Sequence, residues 1–146
     1  LSARPNDLLV EIALADSFKA NKELKKAQKV YNALMLKYPN NPMVLNNAAN
    51  VELVLNNLEK AKETAKKAYN LAPKNISIID TYAWILYSLK ENTAALALFR
   101  DALLIDYASP QVQYHLALTL DRMDRRVEAQ KYLIEAIESD KEFDGK

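Results

Sequence analysis

The chain has 146 residues, a net charge of +1, and a composition that is 50% hydrophobic and 27% charged, which is typical of a folded protein and not of a disordered segment. Near-neutral charge argues against a dedicated nucleic-acid binder, and the chain has no run of about 18 apolar residues that would span a membrane. The absence of Cys excludes thiol and disulfide chemistry, and the presence of a single glycine, Gly145, favours an all-helical chain.

Apolar residues recur at intervals of three and four along the whole chain, which predicts amphipathic helices. In chain order, the predicted helices form four pairs: 8–20 with 24–38, 42–55 with 58–71, 76–90 with 93–105, and 110–122 with 126–140. A residue that caps helix N-termini well precedes each pair: Asp7, Asn41, Asn75 and Ser109. Pro42 and Pro110 follow two of these caps, at the first helical position, where proline is tolerated.

The caps recur every 34 residues, and two alanine series share this period. One series is Ala15, Ala49, Ala83 and Ala117, and the other is Ala27, Ala61, Ala95 and Ala129. Because small side chains let helices approach closely, we expect both series where the two helices of a pair cross. We expect bulky residues to fill the surrounding layer: Leu14, Phe18, Tyr31, Leu58, Tyr82, Leu86, Phe99, Leu116, Leu120 and Leu133. A single helical hairpin cannot bury its apolar face, so the period predicts stacked hairpins with a continuous core.

Over nearly its whole length the sequence resembles the tetratricopeptide repeat (TPR) family. The 34-residue period, both alanine positions, the bulky Tyr31 and Phe99, and a proline after the second helix match the family. Departures are Ala in place of Gly at the first small position, and Ala65 in place of an aromatic residue. The resemblance implies an all-α fold, a right-handed superhelical solenoid of eight helices. It also implies one TPR domain spanning 1–146, with repeats 8–41, 42–75, 76–109 and 110–143, and we expect a fragment of a longer protein.

Residues 42–146 carry a narrower resemblance. Asn46-Asn47, the run from Ile79 to Trp84, and the run from Tyr114 to Ala117 with Arg125 to Ala129 look like the C-terminal repeats of bacterial TPR lipoproteins. Those proteins are associated with exopolysaccharide and PEP-CTERM protein-sorting systems. The resemblance would imply a periplasmic, lipid-anchored full-length protein, and a cytoplasmic location is the alternative.

The sequence offers little for catalysis. His115 is the only histidine, which leaves no multi-histidine metal site and no Cys–His pair, and no glycine-rich phosphate loop is possible. We therefore expect no enzymatic activity, no metal and no cofactor. The lysine run from Lys19 to Lys29 is interpreted as a solvated helix face, because acidic residues lie near it.

The resemblance implies that the first helix of each repeat lines the concave side of the solenoid. Spacings of four and three give an inward stripe on these helices, which begins with Ile12, Asp16 and Lys19 and includes Leu53 and Asp121. The predicted partner-binding residues lie on this stripe: Asn46, Asn50, Asp80, Trp84, Tyr87, Tyr114 and Leu118. The aromatic residues are typical binding anchors, and an amide can both donate to and accept from an extended peptide backbone.

Alternatives remain open for four residues: Asn46, Asn50, Trp84 and His115. The asparagines suit either a peptide backbone or ordinary polar filling, and Trp84 suits either a ligand or packing between adjacent hairpins. His115, next to the stripe, is either a groove ligand or a packed histidine bonded to a carbonyl.

The leading prediction of function is a protein–protein interaction scaffold that binds a peptide or helix in the groove. We expect the scaffold to bind no nucleic acid. If the narrower resemblance holds, we expect it to belong to a bacterial export or exopolysaccharide assembly system. The alternative is a structural unit that self-associates through its C-terminal end, where we expect Leu133 and Ile137 to be poorly covered.

Overall fold

In a computed structural model of the chain, residues 5–144 are described, and all of them lie in eight α-helices or in short turns. The helices are α1 (Pro5–Ala20), α2 (Leu24–Lys37), α3 (Pro42–Val54), α4 (Leu58–Leu71), α5 (Ile76–Ser88), α6 (Asn92–Ile105), α7 (Pro110–Arg122) and α8 (Arg126–Asp144). The described residues contain no β-strand, which confirms the all-α prediction. The predicted helix ends agree within two residues, except that α1 begins earlier and α8 ends later.

The helices fall into two compact units, residues 1–73 and residues 74–146. In the first unit α1 packs on α2, α3 packs on α4, and α2 packs on α3. In the second unit α5 packs on α6 and α7 on α8, and α7 also packs on both α5 and α6. Each unit is therefore two stacked hairpins, the arrangement that the period predicts.

Both alanine series are buried, as predicted. Ala15, Ala49 and Ala83 are fully inaccessible, Ala117 is 4% exposed, and the second series ranges from 0% to 7% exposed. Around them, Tyr31, Phe99, Leu116 and Leu120 are fully buried. The absence of a bulky side chain at the alanines is what allows the paired helices to approach closely.

Two members of the predicted bulky layer are exposed, and three others, Phe18, Leu58 and Tyr82, are partly buried. Leu14 is 49% exposed and Leu133 is 39% exposed, so their assignment to the core was wrong. The equivalent residues in interior positions, Leu116 for Leu14 and Phe99 for Leu133, are 0% exposed. The sequence pattern is the same, but within this chain the outer sides of the first and last repeats have no neighbouring repeat to cover them.

Two of the predicted helix caps are confirmed in detail. The Asn41 side chain accepts hydrogen bonds from the backbone N–H groups of Met43 and Val44 at 3.0 and 3.2 Å, and Asn75 accepts from Ile78 at 3.1 Å. Ser109 occupies the cap position, but its side chain makes no capping bond. The Asp7 cap was wrong, because α1 begins at Pro5 and places Asp7 inside the first helical turn.

The turn inside each hairpin uses a left-handed residue that is not glycine. Lys22, Asn56, Lys90 and Asp124 have φ between 60° and 65°, and they recur at the 34-residue period. In the third turn the Glu91 N–H bonds to the Leu86 carbonyl and the Lys90 N–H bonds to the Tyr87 carbonyl, both at 2.9 Å. The other three turns repeat this pattern, which is a Schellman helix ending.

The left-handed turns predict a pair of opposite stability changes. Lys90→Asn should raise the free energy of unfolding by about 0.5–1 kcal/mol, because asparagine tolerates this conformation better than lysine. Asn56→Lys should lower it by a similar amount. Urea denaturation of both variants tests the expectation, and a change of the same sign in both would contradict it.

The alanine crossings predict a position-dependent cost of enlargement. Ala83→Leu should lower the free energy of unfolding by about 1–3 kcal/mol, because the added volume overpacks a closed helix crossing. Ala20→Leu, at an exposed helix end, is the matched control and should change it little. Equal thermal midpoints for the two variants would contradict the packing argument.

Candidate functional site

The second unit brings three aromatic rings into one cluster, formed by Trp84 and Tyr87 of α5 and His115 of α7. The Trp84 and Tyr87 rings stack with centroids 4.6 Å apart and planes 12° apart, and the Trp84 and His115 rings stack at 4.1 Å and 19°. The two α5 residues are one turn apart, so they share a face of the helix. We call these three residues the aromatic cluster. Its rings hold one another in a fixed orientation, and each such pair is worth about 0.5–1.5 kcal/mol beyond area burial.

Arg122 of α7 covers the Tyr87 side of the cluster. Its guanidinium lies 3.5 Å from the Tyr87 ring centroid, in cation–π geometry. The same group donates to the Tyr87 backbone carbonyl and to the Asn92 side-chain oxygen, the latter at 3.3 Å. Arg122 is exposed, so the cluster ends in a positive charge that is accessible to solvent.

Asp80 anchors the opposite side of the cluster. Its carboxylate lies 2.7 Å from His115 Nδ1 and accepts a hydrogen bond from Gln111 Nε2 at 2.9 Å. Asp80 is only 6% exposed, and a buried carboxylate requires such partners to offset its lost hydration. The bond to Nδ1 also fixes the plane of the imidazole ring. Asp80 therefore positions His115 for stacking on Trp84 and is not itself open to a partner.

Tyr114 and Leu118 of α7 lie at a second surface of this unit, a groove of about 380 Å³ formed with α8. Tyr114 is 47% exposed, and Leu118 is partly buried. The groove is lined by Tyr114, Ala117, Leu118, Asp121, Arg126, Ala129, Gln130 and Leu133. Its floor is apolar, and its charged groups are one acid and one base.

The two predicted asparagines belong to α3 in the first unit. Asn46 is 7% exposed, and its Oδ1 has no hydrogen-bond partner among the described residues, whereas Asn50 is partly buried. An unpaired buried acceptor costs about 1–3 kcal/mol. The amide of Asn46 is thus less accessible than the groove interpretation expects, and its contact with a partner stays a prediction.

Glu52, two residues after Asn50, is an acid that the sequence did not single out. It is 2% exposed and accepts from Gln28 at 3.0 Å and from Asn57 at 2.7 Å, with Lys60 at 3.1 Å. Burial raises the pKa of this carboxyl, but the hydrogen bonds from Gln28, Asn57 and Lys60 together outweigh it and leave the pKa below its usual value. Because Gln28 lies on α2 and Lys60 on α4, Glu52 links three helices and has a structural role.

The structure sorts the alternatives that the sequence left open. Trp84 does pack between adjacent hairpins, yet it remains partly accessible. His115 is a packed histidine, and its partner is a carboxylate and not the expected carbonyl. Ile12, placed on the inward stripe, is 7% exposed and belongs to the core of the first unit, so that assignment was wrong. Asp16 accepts a 2.5 Å bond from the Tyr31 hydroxyl of its own hairpin.

Sequence reasoning missed two residues of this site, Gln111 and Asn92. Gln111 lies four residues before His115, so helical spacing alone places both on one face of α7. Asn92 gave no such signal, because its contact with Arg122 depends on how α7 lies against α6. Among the described residues there is no cluster of acids or histidine fit for a metal ion, and no helix long and apolar enough to cross a bilayer.

Comparison with protein families identifies the class of fold. The family model described as tetratricopeptide repeat matches residues 110–143, and the model described as coatomer epsilon subunit matches residues 9–89. The chain belongs to the tetratricopeptide repeat family. This confirms the resemblance drawn from the 34-residue period.

One curated relative shares a longer segment. The chain is 36% identical over 108 residues to the cellulose synthase operon protein C of Pseudomonas fluorescens (strain SBW25). The match covers 74% of this chain but only 8% of that relative's length. The likeness therefore concerns one stretch of a much longer protein.

Solved structures show the same fold at low sequence identity. A crystal structure of MamA has a TM-score of 0.82 and 13% identity, with 97% of this chain and 83% of that chain covered. A thermophilic TPR protein of Thermus thermophilus has a TM-score of 0.82 and 16% identity, with 88% of this chain and 72% of that chain covered. The fold class is thus that of TPR solenoids.

The stacking of His115 on Trp84 predicts a spectroscopic change. His115→Ala should move the emission of Trp84, the only tryptophan, to longer wavelength, because one ring that shields it from water is removed. The free energy of unfolding should fall by about 1–3 kcal/mol, since Asp80 loses a hydrogen-bond partner. Tyr114→Ala, on the same helix, is the control and should leave the emission nearly unchanged. An unshifted spectrum for His115→Ala would contradict the stacking.

Proposed function

We propose that this chain is a protein–protein interaction scaffold whose first-helix surface binds a peptide segment or helix of another protein. The observation that carries the proposal is the aromatic cluster, whose rings are partly exposed and already held by stacking, by Arg122 and by Asp80. Side chains ordered before binding lose little conformational entropy when a partner arrives. Large aromatic residues and arginine are also the types that most often dominate binding energy.

The partner that this surface favours has apolar or aromatic side chains and an acidic or carbonyl-rich portion. The edges of Trp84 and Tyr87 offer apolar contact, and Tyr114 and Leu118 offer more at the groove between α7 and α8. Arg122 retains donors that can pair with a carboxylate or a backbone carbonyl. Asp80 acts indirectly, by fixing His115 under Trp84.

The contribution of Asn46 and Asn50 belongs to the same proposal. Asn46 has an unpaired acceptor, and a backbone N–H of the partner would satisfy it if α3 moved enough to admit one. Asn50, one turn further on, lies on the same face of the helix. Their role is weaker in energy than that of the aromatic cluster, at about 0.5–1.5 kcal/mol for a single neutral hydrogen bond.

The biological setting that we propose is a bacterial export or exopolysaccharide assembly system. The similarity to cellulose synthase operon protein C supports this setting, together with the resemblance of residues 42–146 to TPR lipoproteins of such systems. A periplasmic, lipid-anchored full-length protein follows from that setting, and a cytoplasmic one follows if the setting is wrong. TPR scaffolds are typically not catalytic, which agrees with a binding role.

A separate observation favours a second candidate function, which is self-association. Leu133 and Ile137 of α8 are 39% and 48% exposed, as expected for the last hairpin, and Val10 of α1 is 67% exposed. Apolar side chains exposed at both ends of the chain favour contacts between repeats in addition to contacts with a peptide.

The binding proposal is tested in two steps. A photo-crosslinking amino acid at position 87, expressed in the native host, should capture a partner, whereas the same group at Leu104, which is 86% exposed on α6, should not. The captured segment is then titrated as a synthetic peptide by calorimetry. Trp84→Ala should weaken its affinity by about 2 kcal/mol or more, roughly 30-fold, if Trp84 is a hot spot.

Two further variants make the measurement specific. Trp84→Phe preserves a stacked ring and should retain most of the affinity, which separates loss of binding from loss of structure. Tyr107→Ala removes an aromatic residue that is 51% exposed and lies outside the site, and it should leave the affinity unchanged. The proposal fails if Trp84→Ala and Asn50→Ala both bind the peptide like the wild type while Tyr107→Ala does not.

A further inference from the structure

The aromatic cluster contains His115, the only histidine of the chain, in a position where it can take up a proton. Its Nδ1 lies 2.7 Å from the Asp80 carboxylate, which also accepts from Gln111. Because a carboxylate only accepts hydrogen bonds, Nδ1 donates to Asp80, and Nε2 is the nitrogen that is left to bind a proton. Nε2 has no hydrogen-bond partner among the described residues and is not one of their fully buried unpaired atoms. The side chain is 14% exposed, so solvent can reach this nitrogen.

The groups that face this imidazole from the neighbouring helices include a single charge. On α5 that charge is Asp80, and Trp84 stacks on the ring at 4.1 Å. Helix α6 contributes the Phe99 ring at 5.7 Å, and α7 itself contributes the Tyr114 ring at 6.2 Å. No described residue of α8 forms an ion pair, a hydrogen bond or a ring contact with His115. An imidazolium would pair with Asp80 and lie against the indole face, so both partners of a charged ring are already in place.

Proton uptake changes the charge of the site as a whole. While His115 is neutral, the charge of −1 on Asp80 and the charge of +1 on Arg122 cancel. The imidazolium adds a second positive charge and leaves the site at +1. Arg122 borders Tyr87 and His115 borders Trp84, so protonation places a cation next to each of the two α5 rings. A segment that contacts the edges of these rings then meets two cations in place of one.

We propose that proton uptake by His115 regulates the partner-binding surface, which binds a segment carrying a carboxylate more tightly when the imidazole is charged. This inference rests on the proposed function and adds the regulation of the same site. A unit charge one ring away from a carboxylate changes affinity by about fivefold to tenfold at a protein surface. Histidine is the side chain that ordinarily changes charge between about pH 5 and 8, so the control operates near neutral pH. Because coupling is reciprocal, the bound segment also holds the proton on His115.

The first measurement needs no partner, because the proton itself is the ligand. The single imidazole should show one titration by NMR between about pH 5 and 8.5 while the circular dichroism of the helices stays constant. The emission of Trp84, the only tryptophan, should fall as the ring gains its proton, because an imidazolium in contact with an indole quenches its fluorescence.

The matched variant is His115→Asn, which keeps a donor close to the place of Nδ1 but cannot take up a proton. Its Trp84 emission should not depend on pH in this range. A wild-type ring that keeps one charge state throughout the range would overturn the proposal. An emission change of the same size in His115→Asn would overturn it as well.

The second measurement uses the synthetic peptide identified by crosslinking at position 87. By calorimetry, the wild type should bind it at least about fivefold more tightly at about pH 5.5 than at about pH 8. Near neutral pH, titrations in two buffers of different ionisation enthalpy should show that binding takes up protons. His115→Asn should bind equally at both pH values, whereas Tyr107→Ala, outside the site, should keep the pH dependence of the wild type.

The outcomes separate this inference from the function on which it rests. Equal wild-type affinity at both pH values would overturn the regulation and leave peptide binding standing. A pH dependence that persists in His115→Asn would do the same, because the proton would then bind elsewhere. A chain that binds no peptide at either pH would overturn the proposed function, and this inference with it, whatever the charge of the His115 ring.

Discussion

A hairpin of two short amphipathic helices cannot bury its apolar face alone, and the rest of the structure follows from that constraint. Each hairpin has apolar residues on the side where its helices meet and also on the sides that face the hairpins before and after it. Val44 and Val112 lie at one repeating position and are 0% and 1% exposed, whereas Val10 at the same position is 67% exposed. The difference lies in the presence of a neighbour, since the side chains are nearly the same. Stacking of hairpins therefore stabilises this chain. Apolar side chains that have no neighbouring hairpin within it remain exposed.

The same constraint explains why the aromatic cluster lies where it does. In the second unit the first helices, α5 and α7, meet at Asp80, Trp84 and His115. Side chains at these positions pack between the helices, and Trp84 and His115 are also partly exposed. Asp80 and His115 pair with each other, Trp84 stacks on His115, and Tyr87 stacks on Trp84, with both α5 rings partly exposed. The rings of the aromatic cluster are therefore both packed against one another and partly exposed.

The hairpin turns show that a repeat tolerates residues in an unfavourable backbone conformation. Lys22 and Lys90 adopt a left-handed conformation that glycine or asparagine would adopt more readily. Each turn regains two backbone hydrogen bonds through its Schellman geometry. The chain thus contains almost no glycine and still makes four tight turns. The scarcity of glycine correctly predicted helices. It did not predict that each turn would hold a residue other than glycine in the left-handed conformation.

The sequence by itself determined the repeat. The period, the eight helices, both alanine crossings and the caps at Asn41 and Asn75 follow from local rules, because helix periodicity, capping and small-residue crossings depend on neighbours three, four or 34 positions away. The exposure of Leu14 and Leu133, the burial of Ile12 and Asn46, and the pairing of Asp80 with His115 were decided only by tertiary structure. The physical reason is that the surroundings of a side chain depend on which helix lies against it. Two residues with the same place in the repeat therefore have different surroundings when one of them lacks a neighbouring hairpin.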